Sequence, residues 1–162
     1  MHNDFLTGSL AQYFSRRFIV TLLLFLQGCS YSTQKNPGLG ITWLPEFIVP
    51  VRGRVTTLFG VGHDGIDIAA KRGTPVKAAD DGVVKFSGYI RGYGKTIIIS
   101  HKSNMITLYA HLNTAHVKKQ GRISKGQIIG TVGSTGRSTG PHLHFETRIN
   151  NRPYDPNQFF PL

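Results

Sequence analysis

The sequence predicts an all-β domain: an antiparallel sheet of hairpins with one open cleft. Three observations carry that expectation. From Arg54 onward the apolar and alternating runs are short and rich in Val, Ile, Thr, Phe and Tyr, the composition of strands. Turn-forming residues divide them, with 19 Gly and 8 Pro among 162 residues. No stretch of ten or more residues after Pro50 keeps a clean helical period.

In chain order the first expected strand is RVTTLF (Arg54–Phe59), opened by Gly53 and stopped by Gly60. GIDIAA (Gly65–Ala70) alternates Ile66 and Ile68 with Asp67 and ends before Arg72-Gly73. TPVKA (Thr74–Ala78) runs to the acidic turn Asp80-Asp81. GVVKFSG (Gly82–Gly88) is bounded by its own glycines, and KTIIISH (Lys95–His101) follows Gly94. MITLYAHL (Met105–Leu112) follows Ser103-Asn104, and QIIGTVG (Gln127–Gly133) follows Gly126. HLHFETRI (His142–Ile149) follows Pro141 and stops at Asn150-Asn151. The segments GTPVKAADDGVVKFSG and SKGQIIGTVGS are loosely alike. They resemble the half-barrel hairpins of biotinyl and lipoyl carriers, a duplicated hybrid motif. A carrier needs a lysine at a tight hairpin tip beside Met, and Met105 has no adjacent lysine.

Three regions are expected ahead of and within this pattern. Arg16-Arg17 precede FIVTLLLFL (Phe18–Leu26), an apolar run too short to span a bilayer but suited to a signal-peptide core. LQGC (Leu26–Cys29) then places a small residue before the only cysteine. This resembles a bacterial lipoprotein signal, which implies residues 1–28 as signal peptide and Cys29 as the lipidated residue, an explanation for an unpaired cysteine in an exported protein. Residues 29–49 read as a tether, docking at its end through Trp43, Leu44 and Phe47. Residues 50–162 are the expected folded domain.

The charge is lopsided, with 19 Lys+Arg against 8 Asp+Glu and a net +11. Loss of residues 1–28 would remove Asp4, Arg16 and Arg17 and leave +10. A basic surface points to an anionic partner. The export signal disfavours nucleic acid.

Two motifs carry no function here. Gly60, Gly62 and Gly65 match G-x-G-x-x-G, but no helix opens at that turn to face a pyrophosphate. GRSTG (Gly136–Gly140) matches G-x-S-x-G, but Pro141 and a strand follow it, and no His follows Asp155. Ser138 is expected as a loop residue.

The histidines are more informative. On a strand, side chains at i, i+2 and i+4 share a face. His142, His144 and Glu146 therefore point one way, and Leu143 and Phe145 the other. The same rule puts His63 and Asp67 together, with Gly65 leaving space between them. Two histidines and a carboxylate from two strands would make a three-ligand set with an open position, the pattern of a catalytic zinc site. A single cysteine excludes thiolate-rich sites. Surface histidines in strands would read the same way. Tyr109 precedes His111 by two and is expected on its face, contacting substrate or flanking the cleft. His101 and His116 are expected to be structural.

HDGID (His63–Asp67), YAHL (Tyr109–Leu112) and GSTGRSTGPHLHFE (Gly133–Glu146) together resemble the signature segments of the lysostaphin-type (LytM-like) zinc metallopeptidases. The resemblance runs from about Val51 to Pro156 and agrees in order, spacing and flanking residues. It implies His63, Asp67 and His144 as ligands of one zinc ion, with His111 and His142 in the catalytic positions. None of the five is substituted. Zinc lowers the pKa of a bound water toward ~7, and neutral imidazoles handle its protons. Glu146 is a candidate partner behind the ligands.

The resemblance also implies a substrate, the peptides of peptidoglycan, and a zinc endopeptidase cutting cross-links. Cys29 followed by Ser30 implies an outer-membrane lipoprotein facing the periplasm. The alternative is a non-catalytic envelope factor of the same fold that binds wall peptides or activates an amidase. Control by other envelope proteins is expected on either reading.

Overall fold

The computed structural model describes residues 45–161. The expected signal segment 1–28, the expected lipid-attachment residue Cys29, and Trp43 and Leu44 of the expected tether lie outside those residues. The described chain forms ten strands: β1 (Arg54–Thr57), β2 (Ile66–Ala69), β3 (Pro75–Lys77), β4 (Gly82–Ile90), β5 (Gly94–Ser100), β6 (Met105–Ala115), β7 (Arg122–Ile123), β8 (Ile128–Val132), β9 (His142–Ile149) and β10 (Arg152–Tyr154). A 3-10 turn, Pro156–Phe159, closes the described chain, with Asp155 accepting from the Asn157 amide.

Every pairing is antiparallel, and the sheet runs β1-β2-β9-β6-β5-β4-β7 without closing into a barrel. β10 pairs with β9, and β8 joins β3 to β6. The all-β expectation therefore holds. Two strands escaped the sequence pattern for clear reasons. β7 has two residues, too few to show a period. β10 contains Pro153, which cannot donate to a ladder and is tolerated because β10 pairs on one side only. The two loosely similar segments meet in space, since β3 pairs with β8.

The alternation of β2 and β9 orients the site. Ile66 and Ile68 are buried, as are Leu143 and Phe145 opposite them. The register pairs Asp67 with His144 and Ala69 with His142. All the polar partners therefore lie on the other face. A slip of one residue would send every one of them into the core.

β6 breaks the alternation where it matters. It pairs with β9 as far as Ala110 and with β8 from Leu112. Opposite β5, Lys95 faces Leu112 while Ile97 faces Tyr109, so β6 carries an extra residue there. His111 sits at that bulge with φ 58°. Left-handed backbone at a non-glycine residue turns its side chain out of register. Tyr109 and His111 thus point to opposite faces, contrary to the simple i, i+2 expectation. Tyr109 is fully buried, 5.2 Å from the Phe145 ring, and its hydroxyl accepts the Ala79 amide at 2.8 Å. It is a core residue and does not flank the cleft.

Phe47 belongs to the core as well. It is fully buried, stacks on Phe159 at 5.4 Å, and donates its amide to the Phe159 carbonyl at 2.7 Å. Burying such a ring is worth about 1.5–3 kcal/mol. His101 packs on Phe47 and is held by the Asp81 carbonyl and Thr107 Oγ1, both at 2.7 Å. His116 is exposed and meets Thr114 Oγ1 at 3.0 Å. Both stand apart from the cleft.

Candidate metal centre

The polar face of β2 and β9 opens into a cleft of about 700 Å³. Asp67 supplies its floor. Asp67 Oδ1 lies 2.8 Å from His144 Nδ1, 3.2 Å from His63 Nε2 and 3.8 Å from His142 Nε2. One donor atom each from His63, Asp67 and His144 lie within 4.8 Å of one another. His111 joins from β6, its ring 4.7 Å from His142 and 5.9 Å from His144. The structure therefore gathers all five motif residues into one cleft. Cys29 lies outside the described residues.

His63 reaches the site by a route other than strand alternation. It closes a tight turn, exchanging backbone hydrogen bonds with Gly60, and Gly62 between them has φ 79°. Gly65 serves packing rather than open space over a ligand. A Cβ there would lie 2.3 Å from the Phe145 carbonyl oxygen, so only glycine lets this segment approach β9.

Each of the four imidazoles rests its far nitrogen on an oxygen acceptor, and in His63 and His144 the near nitrogen also faces Asp67 Oδ1. His63 Nδ1 donates to the Leu58 carbonyl at 3.0 Å, and His144 Nε2 donates to Glu146 Oε1 at 3.1 Å. His111 Nδ1 donates to the Thr135 carbonyl and His142 Nδ1 to the Gly140 carbonyl, each at 2.8 Å. The second nitrogen of each ring faces the cleft, where those of His63 and His144 meet the Asp67 carboxylate. That is the arrangement that orients metal-binding and proton-transferring histidines. The donor set of two imidazoles and one carboxylate also suits zinc, with coordination positions to spare.

The Gly-Ser-Thr loop is well anchored. Ser138 Oγ donates to the Gly140 carbonyl at 2.8 Å and lies 3.3 Å from His142 Nδ1, so it supports the imidazole. The loop backbone supplies the acceptors for both His111 and His142.

Glu146 sits behind His144 and is fully buried. It accepts from the Tyr93 hydroxyl at 2.7 Å, from His144 and from Arg148 Nε at 2.6 Å. Arg148 Nη2 then reaches Asp64 Oδ2 at 3.2 Å, in the turn that carries His63. Burial opposes ionisation of Glu146, but these three donors hold its carboxyl below the usual range. Burial also works against a charged His144, yet hydrogen bonds to Asp67 and Glu146 push its pKa up to about 9. For Asp67 burial works against ionisation, but hydrogen bonds from His144 and Thr57, with His63 nearby, outweigh it and hold the carboxyl well below its ordinary value. Burial keeps His111 below a normal histidine, partly offset by the Thr135 carbonyl. Tyr93 is pushed up to about 12 by burial and its bond to Glu146.

Two of these residues were missed in the sequence. Arg148 continues the series His142, His144, Glu146 by two more positions, so the face rule would have found it. Tyr93 lies between Gly92 and Gly94, and its only sequence signal is that it interrupts a glycine pair.

Residues 61–156 match the family model described as peptidase family M23. The DD-carboxypeptidase/endopeptidase Mpg of Neisseria meningitidis serogroup B is 55% identical over 94 residues, 58% of this chain and 22% of that protein. The murein hydrolase activator NlpD of Escherichia coli is 40% identical over 116 residues, 69% of this chain and 30% of its own length. A zinc containing peptidase from Vibrio cholerae aligns with a TM-score of 0.64 at 36% identity, covering 69% of this chain and 38% of that one. The chain spans under a third of the length of these curated relatives.

Proposed function

The chain belongs to peptidase family M23, and from that premise we propose that it is a zinc-dependent endopeptidase that hydrolyses peptide cross-links of peptidoglycan. One observation carries the reading. Three imidazoles surround Asp67 in an open cleft and a fourth, His111, packs on two of them, each ring resting its far nitrogen on an oxygen acceptor.

On this reading His63 Nε2, Asp67 Oδ1 and His144 Nδ1 would hold the ion, and bound zinc would supply Lewis acidity and a water of pKa ~7. His111, kept neutral by burial, takes a proton from the attacking water through Nε2. The carbon–nitrogen bond then breaks as the His111–His142 pair returns a proton to the leaving amine. The acyl fragment departs as a carboxylate. The loop carbonyls of Thr135 and Gly140 keep both rings aimed throughout.

The test is incubation of the purified protein with cross-linked peptidoglycan, with and without chelator. Release of uncross-linked fragments that chelator stops and zinc restores supports the endopeptidase. The NlpD relative supports a second reading, an amidase activator. No release at any zinc level, with stimulation of a partner amidase, would favour that one.

We further propose that residues 1–28 are a lipoprotein signal, that Cys29 carries lipid, and that the protein faces the periplasm from the outer membrane. Fatty-acid labelling that survives Cys29→Ala would overturn this placement.

A further inference from the structure

One arginine, Arg137, lines the cleft and another, Arg148, lies behind it, and their commitments differ. Arg148 is bound to Glu146 and Asp64. Arg137 lines the cleft and is exposed, and its guanidinium makes no hydrogen bond or ion pair to a described residue.

Its backbone is nevertheless held firmly. The Arg137 amide donates to the Gly92 carbonyl at 2.7 Å. The preceding Gly136 has φ 73°, and a Cβ there would lie 2.4 Å from the Gly94 nitrogen. The same loop supplies the Thr135 and Gly140 carbonyls that orient His111 and His142. The arginine is therefore presented by the segment that aims the proton-handling imidazoles. On the facing turn Asp64 is already paired with Arg148, which leaves Arg137 uncommitted. An arginine fork matches a carboxylate with two parallel hydrogen bonds.

Resting on the endopeptidase reading above, we propose that Arg137 is a carboxylate-recognition subsite, so that the cleft selects peptides with a free carboxylate close to the scissile amide. Arg137 acts in substrate binding and leaves bond cleavage to the imidazoles.

The test uses the zinc-loaded full chain and two synthetic cross-linked peptides. They differ only in the carboxyl nearest the scissile amide, free in one and a carboxamide in the other. Calorimetry gives the dissociation constants and mass spectrometry follows cleavage. The wild type should prefer the carboxylate by about tenfold, between the worth of an exposed ion pair and of a buried charged hydrogen bond. Arg137→Gln should reduce that preference to within about twofold, and Arg137→Lys, which keeps charge but loses the fork, should fall between. A preference undiminished in Arg137→Gln, or none in the wild type, overturns the proposal. Carboxylate-selective binding without cleavage would support Arg137 while sinking the endopeptidase. Indifferent binding with cleavage would do the reverse.

Discussion

Replacing Glu146 by Gln probes the support behind the metal centre. Glu146 is fully buried and receives three donors: Tyr93 at 2.7 Å, His144 at 3.1 Å and Arg148 at 2.6 Å. A glutamine keeps one acceptor oxygen and must turn its NH₂ toward one side. Facing His144 and Tyr93, it would oppose two donors. Facing Arg148, it would oppose one, on a side chain that is 26% exposed and can turn to water. The second orientation costs less, near the lower end of the ~1–3 kcal/mol for an unsatisfied buried group. A loss of about 1–2 kcal/mol should lower the melting temperature by about 5–10 °C. Zinc affinity should fall further, by about 10–100-fold, because the carboxylate orients His144 and raises its basicity. The assays are a thermal melt of metal-free protein and a zinc titration against a chromophoric chelator. A variant that binds zinc within twofold of wild type would refute this reasoning, whatever its melting temperature.

The other predictions address separate parts of the molecule. His144→Ala should lose zinc and activity together, whereas His142→Ala should keep stoichiometric zinc and lose about 10²–10⁴ in rate; abolished metal binding in His142→Ala contradicts the ligand assignment. His144 is raised from 6.5 to about 9 in the metal-free fold. Its contribution to metal-free stability should be complete below pH 6.5 and disappear as pH rises through about 9. Zinc must displace that proton, so apparent affinity should rise with pH over the same window; a flat affinity between pH 6.5 and 9 would count against it. Phe47→Ala should cost about 3–5 kcal/mol in urea unfolding, because the ring is fully buried against Phe159. A cost under 1 kcal/mol would return Phe47 to a peripheral linker.

How much of this was legible in the sequence depended on whether a local rule governed the residue. Asp67, His142 and His144 lie on regular strands, so alternation alone put them on one face. Arg148 follows by the same rule. His63 and His111 do not obey it. His63 arrives through a turn, and His111 through a bulge with φ 58°, created by tertiary pairing of β6 with two different neighbours. The same bulge explains why Tyr109 belongs to the core. Gly65 was identified as special for the wrong reason, since the approach of the Phe145 carbonyl is a contact between segments eighty residues apart in the chain. The acceptors on the far nitrogens are mostly backbone carbonyls, of Leu58, Thr135 and Gly140, and carry no side-chain signature. Strand β7 was too short to show a period, and Pro153 masked β10.

If the protein is the proposed endopeptidase, water breaks a peptide bond of the wall under zinc control, and cross-linked muropeptide dimers incubated with the zinc-loaded protein in ¹⁸O-water will record it. Hydrolysis predicts uncross-linked monomers, with one heavy oxygen in the newly formed carboxylate, and no such product after chelation. Dimers that remain intact at every zinc concentration, while a partner amidase is stimulated, would contradict it.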